Sequence, residues 1–96
     1  MQVWILTAGE VSESTEIKGV FATRELGHGA FAELATERNG AYADLRAHFP
    51  DLANEPRYGI RDAQVRDDGG LYLEIGVDFI ALAPYDVTEQ LAIAGG

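Results

Sequence analysis

Few residues in this chain are of a type that does chemistry. His28 and His48 are the only histidines, Ser12 and Ser14 the only serines, and there are 16 Asp and Glu but no cysteine. The missing cysteines exclude a disulfide framework, thiolate metal sites and a cysteine nucleophile. A zinc-type site needs clustered histidines and carboxylates, and no i,i+4 histidine pair is present; His28 and His48 would have to recruit Glu74 or Asp78. No metal is predicted. Ser12 and Ser14 lie in an acidic stretch without the glycine pattern of a nucleophile elbow. Gly27-His28-Gly29 lacks the third glycine of a dinucleotide fingerprint. Carboxylate pairs (Asp67 with Asp68, Glu74 with Asp78) can do acid–base work when buried, but among 16 acids neighbours arise by chance. The reading is therefore no catalytic residue and no cofactor. A small enzyme using His28, His48 and carboxylates ranks third among the functions considered.

The charge distribution is more informative. The chain has 96 residues, 7 Lys and Arg, and a formal net charge of -9. Residues 67–96 hold Asp67, Asp68, Glu74, Asp78, Asp86 and Glu89 and no base. Such a field repels nucleic acid and anionic membrane surfaces and favours basic partners. The plainer alternative is a solvated face that keeps a small protein soluble. No apolar run reaches the roughly 18 residues of a membrane span, and no basic region precedes the first apolar stretch, so a cytoplasmic protein is expected. Length and composition predict one domain over residues 1–96.

The elements that would position these residues follow from periodicity. Gln2 to Ala8 reads as a strand apolar on both faces, hence covered on both or central in its sheet. Glu16 to Ala22 reads as its antiparallel partner across a long loop from Gly9 to Thr15, with Gly19 marking a bulge or a close approach. Thr23 is an N-cap for a helix whose stripe is Leu26, Ala30, Phe31, Leu34 and Ala35. Asn39-Gly40 predicts its end, and a second short helix carries Tyr42, Leu45 and Phe49 up to Pro50. After a loop over 51–57 come a weaker strand, Tyr58 to Arg66, a turn at Asp67-Asp68-Gly69-Gly70, and an alternating run from Leu71 to Ala83. In that run Leu71, Leu73, Ile75, Val77, Phe79 and Ala81 share one face unless Gly76 breaks it. Asp86 with Glu89 predicts a capping box for a last short helix through Ala94. The pattern is β-β-α-(α)-β-β: an α+β fold with an antiparallel sheet of about four or five strands against one or two helices.

Val3-Trp4-Ile5-Leu6-Thr7-Ala8-Gly9-Glu10, followed by Ile17-Lys18-Gly19-Val20-Phe21-Ala22-Thr23, resembles the opening of small uncharacterised domains of bacteriophage and bacterial genomes. The polar loop Val11-Ser12-Glu13-Ser14 lacks the aromatic residues of that pattern. The resemblance covers about the first quarter of the chain and implies a phage- or prophage-type accessory protein that acts by binding. The candidate binding residues are Asp67, Asp68, Glu74, Asp78 and Asp86, with Trp4 and Tyr85 as aromatic anchors. The leading expectation is a non-enzymatic protein that inhibits or modulates a basic, nucleic-acid-handling host or defence protein through an acidic face. Its rival is a self-associating structural module, a homodimer through a sheet face or edge.

Overall fold

A computed structural model describes residues 1–48 and 59–86, the side chains of 44–46 and 48 excepted. It is an α+β fold, with one sheet and one helix among the described residues. The strands are β1 (Gln2–Glu10), β2 (Ser14–Phe21), β3 (Ile60–Val65), β4 (Leu71–Ile75) and β5 (Asp78–Asp86); the helix α1 (Arg24–His48) lies between β2 and β3 in the chain. All pairings are antiparallel, in the order β2-β1-β5-β4-β3.

β1 sits between β2 and β5, as its two apolar faces suggested. The loop predicted over Gly9 to Thr15 contracts to Val11–Glu13, closed by Glu13 N–H donating to the Glu10 carbonyl at 3.1 Å. Ser12 takes φ +67°, the left-handed conformation that lets so short a connection reverse the chain. The bulge falls at Lys18, where Leu6 pairs with Gly19 and Thr7 with Ile17. The Phe21 ring lies over Gly19, where a Cβ would come within 2.6 Å of it.

Thr23 caps α1 as predicted, its Oγ1 accepting from Leu26 N–H at 3.2 Å. Of the predicted stripe, Ala30, Phe31, Leu34 and Ala35 pack against a core of Trp4, Leu6, Ala8, Ile80 and Leu82, whereas Leu26 is 59% exposed and lies off that face. The helix does not stop at Asn39-Gly40 but continues to His48, which corrects the two-helix expectation. One glycine in a helix interior costs only about 1 kcal/mol. Beyond it, Tyr42 ties the helix to the sheet through a hydrogen bond from its hydroxyl to Asp78 Oδ2 at 3.0 Å.

Gly76 and Val77 form a two-residue turn, with Gly76 at φ +58°, that divides the alternating run into β4 and β5. Ile75 therefore pairs with Asp78, and the faces are reassigned. Leu71, Leu73 and Ile75 join Ile80 and Leu82 under the helix, whereas Phe79 and Ala81 go to the opposite face with Glu74. The loop over 51–57 and the last predicted helix lie outside the described residues.

Candidate functional site

The strand pairing distributes the acids that run together in sequence. Asp67 and Asp68 stand exposed in the β3–β4 turn. Asp68 is partly engaged there, its Oδ1 accepting from Gly70 N–H at 2.8 Å. Asp86 lies at the same end of the sheet, opposite Gln2, with its carboxylate 3.5 Å from the N-terminal ammonium of Met1. Asp78 lies at the other end, on the helix side, accepting from Tyr42. Glu74 is half-buried on the opposite side. The expected acidic face is thus corrected to acids at two ends and on two faces of the sheet.

A further acidic group forms where the β1–β2 and β4–β5 turns meet. Glu10 pairs with Asp78, and Val11 N–H donates to the Val77 carbonyl at 2.8 Å. A hydrogen bond to Glu13 and that residue's negative charge raise the Glu10 carboxyl above its usual range. Sequence spacing gives little sign of this group, because Glu10 and Asp78 are brought together only by the β1–β5 register.

The aromatic anchors separate in the same way. Trp4, read as a possible interface residue, is 5% exposed and belongs to the core. His28 meets it edge-on, ring centroids 6.1 Å apart, while its Nε2 lies 2.8 Å from the Gly69 carbonyl. That contact fastens the first turns of α1 to the β3–β4 turn and gives this histidine a structural role. Its chain neighbour Gly27 is buried for a related reason: a Cβ there would come within 3.1 Å of both Leu82 and Trp4, so the glycine allows close helix–sheet approach. His48 ends α1, and its side chain is outside the described set.

Tyr85 is 54% exposed and faces away from the helix. It shares that side with Val3, Ile5 and Thr7 of β1, Ile17 and Val20 of β2, and Phe79, Ala81 and Ala83 of β5, as the pairings Val3–Tyr85, Ile5–Ala83, Ile5–Val20 and Thr7–Ile17 require. Ile17 and Val20 are 68% and 58% exposed. Across β4 and β3 the face turns polar. Tyr72 stacks on Phe79 with centroids 6.4 Å apart, the Arg66 guanidinium lies 5.5 Å from the Tyr72 centroid, and Glu74 pairs with Asp62. Burial first, then the charge and hydrogen bond of Glu74, push the Tyr72 hydroxyl pKa up.

On the helix side, a groove of about 360 Å³ opens between β2 and α1, floored by Leu6, Phe21 and Leu34 and edged by Lys18, Glu37 and Arg38. Lys18 is engaged with Glu16 at 2.8 Å. Among the described residues no three His, Asp or Glu cluster as metal ligands, and no helix is long and apolar enough to cross a membrane. Compared with protein-family models, curated proteins and solved structures, the chain matches none.

Proposed function

We propose that this chain is a small acidic binding protein that acts by contact with a basic protein, of the kind that handles nucleic acid, and modulates it. The observation carrying this reading is that residues 67–86 bring five acids and no base, with Asp67, Asp68 and Asp86 exposed at one end of the sheet. Opposed charges steer association and make it sensitive to salt. A single exposed pair contributes little, so several carboxylates must act together.

The test is an affinity capture with the tagged protein, at low and at high salt, beside an Asp67→Lys/Asp68→Lys variant. A basic protein retained at low salt, released at high salt and held more weakly by the variant supports the reading. A complex indifferent to the charge reversal, or recovery of this chain alone at either salt, overturns it. The second outcome would favour the self-associating module, a reading to which the exposed apolar side of the sheet lends weight.

A further inference from the structure

The face of the sheet opposite α1 is apolar across three adjacent strands, and no described residue covers it. Val3, Ile5, Val20, Ile17, Ala81 and Ala83 form the block, with Tyr85 at one end and Phe79 at the other. At a strand spacing of about 4.8 Å and a rise of about 3.3 Å per residue, three strands by seven residues present roughly 300 Å². That is the size of the largest apolar patch on an ordinary monomer, a patch that is often functional.

The area also bears on what can sit there. A stable interface buries about 800 Å² on each partner, so the dry block supplies only its centre and the rim must take part. On this protein the rim is acidic. Glu74 and Asp62 adjoin Phe79 and Tyr72 on the same face, both half-buried there. A second copy of the chain would bring another -9 against this rim. Like charges placed opposite each other at an interface cost several kcal/mol. The same corner holds one base of the chain itself, Arg66, whose guanidinium lies 5.5 Å from the Tyr72 centroid.

We infer that this open face is the docking surface for the basic partner: its apolar block takes the partner's apolar centre, and Glu74 and Asp62 take flanking arginine or lysine. The inference rests on the binding-protein reading above and adds the surface and the partner's chemistry. It differs from a purely electrostatic contact in requiring Ile17 and Val20, which are 68% and 58% exposed.

The experiment titrates the full-length chain with a short peptide alternating leucine and arginine, and with a control in which glutamate replaces arginine, following backbone amide shifts by NMR. Shifts confined to β1, β2, β5, Asp62 and Glu74 with the arginine peptide alone are expected. Ile17→Ser/Val20→Ser should weaken binding at least tenfold, and Glu74→Gln about threefold with a shallower salt dependence. If the arginine peptide binds but its shifts centre on Asp67–Gly69 and the Ile17→Ser/Val20→Ser variant binds equally, the surface is wrong while the basic-partner reading stands. If the peptide binds nowhere, the basic-partner reading itself fails. Dimers that Ile17→Ser/Val20→Ser returns to monomers would place a second copy on the face and overturn the inference. Contacts in the free chain from the Ile17 and Val20 methyls to residues 87–96 would give the face to the chain's own segment and overturn it equally.

Discussion

The two faces of the sheet are made by the same strands and are nearly equal in apolar content, yet they are used differently. Under α1, Trp4, Leu6, Ala8, Ile80 and Leu82 are 5% exposed or less. On the other side, alternate residues of the same strands meet Ile17 and Val20, both more than half exposed. Hydrophobic stabilisation scales with area removed from water, so the first face contributes more to the stability of the fold than the second, where Ile17 and Val20 stay largely in water. Apolarity alone therefore does not identify a core; an element must lie over it.

The sharpest way to break this comparison is a matched pair of substitutions. Leu82→Ala, at a fully buried position under the helix, should cost about 2–5 kcal/mol in chemical denaturation. Ile17→Ser on the open face should change stability by no more than about 0.5 kcal/mol. Equal losses would mean that the open face is as buried as the other.

The next test concerns how closely the helix approaches. Gly27→Val should destabilise, because its Cβ would already sit 3.1 Å from Leu82 and Trp4. Gly29→Ala, where a Cβ meets nothing within 4 Å, should stabilise by about 1 kcal/mol through helix propensity. Opposite shifts in thermal midpoint are expected, and shifts of the same sign would count against the close helix–sheet contact.

A comparable effect belongs to the cap that launches the helix over its face. Thr23→Ala removes the acceptor for Leu26 N–H and should cost about 1 kcal/mol.

The smallest effect is a pH dependence at the far end of α1. Burial, with the hydrogen bond to Asp78, raises the Tyr42 pKa above 10.0. In the unfolded chain this hydroxyl ionises first, so unfolding releases a proton and stability falls as pH rises above about 10. Tyr42→Phe should flatten that decline. An unchanged alkaline limb would remove Tyr42 from the contacts that hold the helix to the sheet.

Much of this architecture was legible in the chain. Trp4, Leu6 and Ala8 alternate with Val3, Ile5 and Thr7, and a period of two with both phases apolar predicts a strand inside its sheet, where β1 lies. Thr23 marked the helix start because a side-chain acceptor at that position satisfies an otherwise unpaired N–H. Gly40 misled because propensity is a local energy of about 1 kcal/mol, and a tertiary contact such as Tyr42 to Asp78 can exceed it. The candidate site was less legible. Asp67, Asp68, Glu74, Asp78 and Asp86 read as one acidic surface, but the two-residue turn at Gly76 and Val77 shifts the alternation and sends Glu74 and Asp78 to opposite faces.

By itself the sequence determined the first two strands, the start of the helix, the fold class and the sign of the net charge, because capping, alternation and net charge are local or additive properties. The tertiary structure decided which apolar phase of β1 and β5 became core. It also decided that Trp4 is covered while Tyr85 is exposed, and which carboxylates adjoin the open face. Those outcomes depend on strand register and on the side over which α1 crosses, and both are set by contacts between residues far apart in the chain.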